Sequence, residues 1–336
     1  MKMAKYIVKR ILLMLFVLFV IVTICFMLVR MLPRMLPDGT IAQQNAVKDR
    51  WEALGYNKPL LEQYGIYLKN IVTDWDFGTS WYIKYMEPAW DLLSGRLLPT
   101  VLVNVYSLLF SIPIGIALGV YAAIKKNKWQ DSIISTLVMV FVSVPSYVYA
   151  FLIQYFMFFK WHWFDSTGVL ALAQAAEQAG IVLVEGAEWK AWFTWPMFKS
   201  LIMPVLALSF GTIAGLCRFT RAELTETLTS DYMLLARTKG LTRAQATSRH
   251  ALKNAMVPIL PMIISSFVGI LGGSLVIEKI FSIPGVGELY MMAVFQRDYD
   301  VFMIDTIFYT LIGLATNILV DISYGFIDPR IRMGER

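Results

Sequence analysis

The chain has 336 residues, 57% hydrophobic and only 16% charged. Soluble domains usually carry about a quarter charged residues, so this balance excludes an ordinary soluble domain and points to membrane spans. The net charge of +6 would suit nucleic acid, but in a membrane protein it fits basic loops on one face of the bilayer, and no nucleic-acid partner is expected.

Residues 1–10 carry Lys2, Lys5, Lys9 and Arg10, and Ile11–Val29 is then an unbroken apolar run. Crossing a hydrocarbon core takes about 20 helical residues, so this run is a first span. A signal peptide is the rival reading. The run exceeds an h-region, and Met31-Leu32-Pro33 offers no small-residue cleavage site, which favours an uncleaved span with its N-terminus inside. Residues 34–98 are polar, with Asp49, Glu52, Glu62, Asp74, Asp76, Glu87 and Asp91 among scattered aromatics. Helical spacing over 49–71 predicts a helix packed on the outer membrane surface.

Thr100–Ile124 is a second span, interrupted by Pro113 and carrying Gly115 and Gly119. Small residues at that spacing let helices approach closely in lipid. Lys125, Lys126 and Lys128 end it as a short basic loop. Ser132–Phe159 is a third span with Pro145 near its middle, a position membrane helices tolerate when neighbours re-satisfy the freed carbonyl. Residues 161–199 are harder to place. Gln174, Glu177 and Gln178 interrupt an apolar stretch, and Trp161, Trp163, Trp189, Trp192 and Trp195 surround it as an interfacial belt would. It reads as an external insertion with a surface helix.

Leu201–Cys217 is the fourth span, marked by Pro204. Met262–Ile277 is the fifth, with Gly269, Gly272 and Gly273. After an external loop over 278–300, Phe302–Ile322 is the sixth, holding Asp305 near its outer end, where it is solvated or paired, and Asp321. Cys25 and Cys217 lie in or beside apolar runs and imply no disulfide. Basic residues concentrate in the short segments that six spans place inside, whereas a seventh span would put the basic N-terminus or the segment before Pro261 outside.

That segment, residues 231–261, is the most patterned part of the chain. Ser230 or Asp231 can cap a short helix with Tyr232, Leu235, Ala236 and Lys239 on one face. Gly240 stands where a left-handed terminator belongs. Thr242 and Gln245 form a T-x-x-Q capping box for a second helix, and Pro258 and Pro261 mark the start of the next apolar run. An amphipathic hairpin between spans is the plainest account of it.

Reaction chemistry is sparse. No Gly is followed by Lys, so there is no Walker A phosphate loop. The chain has two histidines, His162 and His250, and neither H-E-x-x-H nor G-x-S-x-G, so no catalytic or metal-binding residues are expected. Paired intramembrane charges of the kind ion-coupled carriers use are few.

Ala236, Gly240 and Ile259-Leu260-Pro261 resemble the cytoplasmic coupling loop of ABC-importer membrane subunits, with Leu234-Leu235-Ala236 standing where Glu-Ala-Ala would be. The fuller string ARTKGLT…RHALKNAMVPILP is similar to the dipeptide, oligopeptide and nickel permease branch. Asp76-Phe77-Gly78-Thr79-Ser80, the run from Glu278 through Phe281 to Pro284-Gly285-Val286-Gly287, Arg297-Asp298-Tyr299, and Asp321…Tyr324…Asp328-Pro329-Arg330-Ile331-Arg332 resemble further motifs of that branch, as does the N-terminal YIVKRILL. The resemblance implies an all-α integral membrane protein of six transmembrane helices with the type I ABC importer permease fold. Residues 1–98 would hold the first span and an external segment, and residues 99–336 the core permease domain. Within that core would lie the insertion at 161–199 and a coupling loop at 220–257.

Ala236, Arg237, Thr238, Lys239, Gly240, Leu241, Arg243, Arg249 and Pro261 would then form the ATPase-coupling loop. Glu278, Phe281, Pro284, Gly285 and Gly287 would form a tight external turn. Expected partners are a second homologous permease, two ABC ATPase subunits that bind ATP and magnesium, an external substrate-binding protein and the lipid bilayer. No cofactor is expected in this chain. A prokaryotic cell membrane with both termini cytoplasmic is implied, and the solute stays open between peptides, nickel and other small molecules. An ion-coupled carrier or channel acting without an ATPase is the alternative from another class, and a membrane scaffold a third.

Overall fold

The computed structural model describes residues 2–33, 36, 39–184 and 186–327. In chain order the helices are α1 (Lys2–Met31), α2 (Ile41–Ala53), α3 (Leu60–Asp74), α4 (Ala89–Ile124), α5 (Trp129–Ser143), α6 (Ser146–Gln154), α7 (Leu172–Ala179), α8 (Trp195–Leu228), α9 (Asp231–Thr238), α10 (Arg243–Ala246), α11 (Leu252–Val268), α12 (Leu275–Ile280), α13 (Val286–Gln296) and α14 (Tyr299–Ile327). Two two-residue strands, β1 (Thr79–Ser80) and β2 (Glu87–Pro88), pair antiparallel before α4.

Among the described residues, five helices are long and apolar enough to cross a membrane: Ile7–Met31, Ala89–Ile124, Trp195–Leu228, Arg243–Gly272 and Tyr299–Ser323. The region expected as one third span is two helical pieces, Trp129–Ser143 and Ser146–Lys160, bent by 100°. Taken as one broken span, the pair supplies the sixth crossing. Pro145 causes the break. Its ring drives Val144 into an extended conformation (ψ 128°), and Pro145 then opens the next helix.

The fifth span begins earlier than its apolar run, because α10, a π-turn over Thr247–Ala251 and α11 are continuous from Arg243. Pro258 and Pro261 lie inside this helix rather than marking its start. The helix gives way to a 3-10 turn at Gly269–Gly272, and α12 is a separate element. Between α6 and α8, α7 has eight residues, too short to cross a bilayer.

The chain divides into two compact units. One unit comprises Met1–Thr100, Gly272–Leu275 and Pro284–Ile318; the other comprises Val101–Leu271, Val276–Ile283 and Leu319–Arg336. In the first unit, residues 49–71 are two helices joined through Gly55 (φ 73°) rather than one. Phe26 of α1 packs between Tyr64 and Tyr67 of α3, each ring centroid 5.1 Å away, and the Thr23 and Tyr64 hydroxyls hydrogen-bond at 2.6 Å. Leu93, Val286, Leu289, Ala293, Val301 and Ile304 complete this core.

The motifs at 76–80 and 297–299 meet in the same unit. Asp298, with no exposed surface, accepts on Oδ2 the Ser80 hydroxyl (2.7 Å) and the backbone N–H groups of Trp81 (3.1 Å), Tyr82 (3.1 Å) and Ile83 (3.2 Å). Asp300 takes the Thr79 N–H at 3.2 Å, and Gly78 (φ 102°) lies so close that a Cβ there would stand 2.6 Å from the Asp300 carboxyl carbon. Asp76 accepts from Arg50 at 2.6 Å. Asp305 is fully buried, so of its two expected placements, solvated or paired, the solvated one does not hold.

The second unit is held by close helix approach. A Cβ on Gly119 of α4 would lie 2.6 Å from Thr220 Cβ and 2.7 Å from the Cys217 carbonyl oxygen of α8, and one on Gly115 would lie 2.8 Å from Leu216 Cβ. The two glycines therefore act as the spacing predicts. Ser107 and Ser209 join the same helices through their hydroxyls at 3.2 Å.

Candidate functional site

The segment expected to couple to an ATPase folds as a hairpin whose turn is written locally. Ser230 occupies the N-cap position of α9, but its hydroxyl donates to the Thr227 carbonyl at 2.6 Å and caps nothing. Asp231 supplies a negative charge in the first turn instead. At the other end Gly240 adopts φ 87°. Its N–H reaches the Arg237 carbonyl (3.0 Å), and the Leu241 N–H reaches the Ala236 carbonyl (3.3 Å), the two bonds of a Schellman terminator. A Cβ on Gly240 would meet nothing within 4 Å, so the glycine is required by conformation alone.

Thr242 then opens α10 with both arms of its capping box. The Gln245 N–H donates to Thr242 Oγ1 (3.3 Å), and the Thr242 N–H donates to Gln245 Oε1 (3.0 Å). Leu241, just before this cap, packs against the buried cluster that contains Ala246.

Burial corrects the face of α9. Met233 and Ala236 point inward, while Tyr232, Leu234, Leu235 and Lys239 are exposed. The core beneath joins five alanines, Ala123 of α4, Ala236, Ala246, Ala251 and Ala255, to Leu224 of α8 and Met233. Alanine at these places lets the hairpin lie flat on the ends of α4 and α8. Arg237, Thr238, Lys239, Arg243 and Arg249 are all exposed, Leu241 is half-buried, and Pro261 is buried farther along α11. The surface of the hairpin is thus a short ridge carrying Leu234 (66% exposed) and Leu235 (55% exposed) flanked by basic side chains.

One residue of this site escaped the sequence. Asp131, the third residue of α5, is 3% exposed and receives Arg221 of α8 through two bonds, Nε to Oδ1 at 2.5 Å and Nη2 to Oδ2 at 2.8 Å. The Asn127 N–H (3.0 Å) and the Ser135 hydroxyl (3.2 Å) complete the carboxylate's shell. An acid at a helix start reads as routine dipole complement, and its partner is 90 positions away, so nothing local announces the pair. The two-pronged contact fixes α8 just before the coupling hairpin to the loop after α4.

The expected external turn is built differently from its motif. Two residues past the end of α12, Ser282 adopts φ 50°, and the Ile283 N–H bonds the Glu278 carbonyl at 2.9 Å. Ser282 is therefore the left-handed residue. Gly285 is extended (φ −105°, ψ 179°) as the N-cap of α13, and Gly287 lies inside that helix. Glu278 and Phe281 are buried, Pro284 is half-buried, and Gly285 and Gly287 are buried. The Phe281 carbonyl accepts the Val169 N–H at 2.8 Å and abuts Gly168, where any Cβ would collide with it. The 161–199 stretch is therefore pinned to the turn over 278–283. Asp328, Pro329, Arg330, Ile331 and Arg332 lie outside the described residues, as do the side chains of Lys2, Lys5, Tyr6 and Tyr324.

Comparison with known proteins matches this architecture. Residues 115–333 match the family described as binding-protein-dependent transport system inner membrane component, and residues 3–85 match the N-terminal family of such components. The chain is 34% identical over 336 residues to a dipeptide transport system permease protein of Lactococcus lactis, covering 98% of this chain and 100% of that one. It is 32% identical over 335 residues to a dipeptide permease of Bacillus subtilis, covering 99% and 100%. It is 31% identical over 333 residues to a glutathione transport system permease of Escherichia coli, covering 98% and 99%. This multi-pass membrane chain belongs to the inner membrane components of binding-protein-dependent transport systems, the type I permease subunits of ABC importers.

Proposed function

We propose that this subunit forms half of a translocation path for short peptides, pairs with a second homologous permease, and draws its energy from two separate ABC ATPase subunits that bind ATP and magnesium. An external binding protein delivers the solute. The peptide assignment rests on relatives named for dipeptide and glutathione transport. The chain itself carries no ATPase site in this reading. Both termini and the hairpin face the cytoplasm, while the 161–199 stretch faces outward.

The observation that carries the reading is the ridge on α9. Leu234 and Leu235 stand exposed on a helix whose other side is anchored by an alanine core. An amphipathic helix held this way fits a groove on a partner, and the surrounding Arg237, Lys239 and Arg243 suit a groove with an acidic rim. In such systems closure of the ATPases draws two such hairpins together and swings the spans between inward-open and outward-open states.

The test is reconstitution of the four-part transporter in proteoliposomes, with dipeptide uptake followed with and without ATP. Leu234→Asp/Leu235→Asp is expected to leave the chain in the membrane and abolish both ATPase co-purification and uptake. Uptake driven by an ion gradient through this chain alone would overturn the proposal.

A further inference from the structure

The second unit contains a cleft to which no role has yet been attached. It lies between α4, α8 and the α11 end of the fifth span, and its open volume is about 540 Å³. Asn104 and Ser107 of α4, Thr212 of α8 and Ser266 of α11 line it with Gly269 and Ile270. Among the described residues that line it, none is charged. All of these positions fall within helices long and apolar enough to cross the bilayer.

Polar side chains at that depth are costly against lipid, so they face protein or a water-filled cavity. Two hydroxyls here turn back on their own helices: Thr212 Oγ1 donates to the Leu208 carbonyl (3.4 Å) and Ser266 Oγ to the Met262 carbonyl (3.0 Å). Each oxygen keeps lone pairs directed away from the helix. The backbone agrees. At Gly269 the α-helix ends and a 3-10 turn follows to Gly272, with Gly273 left-handed at φ 58°. Such a break within a span is tolerated where it is buried in protein or lines a watery cavity.

The opposite flank of the same helices sharpens the contrast. Phe110 and Ile114 of α4, Leu137 and Phe141 of α5, and Phe210 and Ile213 of α8 line a second groove. Among the described residues no polar side chain lines that groove, so α4 and α8 each contribute to one apolar and one polar lining within the membrane.

We propose that the Asn104–Ser107–Thr212–Ser266 cleft is a solute-binding station of the translocation path, taking the amide backbone of a short peptide through uncharged donors and acceptors. This inference rests on the proposed peptide-uptake function. Hydroxyl and carboxamide groups can both give and accept hydrogen bonds, which matches the alternating N–H and C=O of a peptide. With no fixed charge in the lining, the station does not read the sign of the peptide's side chains. Discrimination by charge is left to other parts of the system.

The test uses the complete transporter in proteoliposomes with the variant Thr212→Val/Ser266→Ala. Both hydroxyls bond only carbonyls already engaged in their own helices, so their removal strands no buried group. Uptake of alanyl-alanine, alanyl-glutamate and alanyl-lysine is expected to fall about tenfold alike, a loss of about 1.4 kcal/mol in the rate-limiting interaction. Peptide-stimulated ATP hydrolysis is expected to stay within about twofold of wild type, as a path defect rather than a coupling defect requires. Unchanged uptake overturns the inference, as does a loss confined to one charge class. Loss of the second permease from the purified complex also overturns it, because the cleft would then be a helix-packing surface.

A second measurement does not depend on the solute. In a Cys25→Ala/Cys217→Ala background, Thr212→Cys and Ser266→Cys are expected to react with a small water-soluble thiol reagent, and Leu137→Cys is not. Absence of reaction at positions 212 and 266 removes the watery cleft, whatever the transporter carries. Should the wild-type transporter take up none of the three peptides, the proposed function fails, and this second measurement alone judges the cleft.

Discussion

Two polar constructions in this chain solve opposite problems. Around Asp298, one buried carboxylate oxygen collects four donors from Ser80 and the three residues after it, and the assembly is closed to solvent. Around Gly240, every bond of the turn is local, and the side chains of Arg237, Lys239 and Arg243 are exposed. The first spends its polar groups on tying segments more than 200 positions apart. The second keeps its shape through a terminator and a capping box and presents its surface outward. A closed scaffold knot and an exposed local turn can thus be told apart by where their hydrogen bonds end.

The largest effect is expected at the knot. Asp298→Ala leaves the Ser80 hydroxyl and three backbone N–H groups without their acceptor, and each buried donor left unsatisfied costs roughly 1–3 kcal/mol. Set against a typical stability of about 5–15 kcal/mol, that is enough to deplete the folded protein. Membrane abundance and the melting temperature in detergent should both drop sharply, while Asp298→Asn, which keeps one acceptor, should fall between. A variant melting like wild type would show that the nest is not structural.

Next comes the ion pair of the second unit. Arg221→Ala strands a carboxylate at Asp131 that is 3% exposed, and breaking a buried pair in this way costs roughly 3–5 kcal/mol. The partial exposure of Arg221 places the expected loss at the lower end. Arg221→Lys should recover only part of it, because an ammonium cannot reproduce the two-pronged contact. Asp131→Asn/Arg221→Gln should melt closer to wild type than Arg221→Ala does. Equal melting of the last two would remove the pair from the account.

Third is the α4–α8 contact. Gly119→Val forces α4 off α8, an overpacking expected to cost about 1–3 kcal/mol by thermal melting. Gly95→Ala, on the same helix but with nothing within 4 Å of its Cβ, should be neutral or slightly stabilising. If both variants behave alike, close approach is not what holds these helices.

At Gly240 a stability effect confined to one turn is expected together with a large functional one. Gly240→Val forces a β-branched residue into φ 87° at a cost of roughly 1–3 kcal/mol confined to the turn. Membrane levels should stay normal, with ATPase co-purification and uptake lost. Gly240→Asn should retain both, because asparagine tolerates the left-handed region. Substitution at Lys128, in the loop after α4, is the control and should behave as wild type. Full ATP-dependent uptake by Gly240→Val would separate this hairpin from coupling.

The hairpin was legible because its determinants are local. Gly240, Thr242 and Gln245 act within a few residues of themselves, and the structure places each bond where the spacing predicts it. The buried face of α9 was not legible, since Met233 and Leu235 are both apolar and only the alanine core beneath selects between them. In the turn after Glu278 the left-handed residue is Ser282, an identity no local pattern singles out, while Gly285 and Gly287 are buried.

By itself the sequence determined the membrane class, the apolar runs, the close-approach glycines and the turn and capping box at Gly240–Gln245, because hydropathy, helix periodicity and capping are properties of neighbouring residues. Only the tertiary structure decided that Asp298 gathers the segment after Ser80 and that Asp131 holds Arg221. It alone showed that Phe281 meets Gly168, and that Asn104, Thr212 and Ser266 share one cleft. These are contacts between residues tens to hundreds of positions apart. Their strength comes from burial and geometry that no local pattern encodes, since a carboxylate in water and a carboxylate in a nest are written with the same letter.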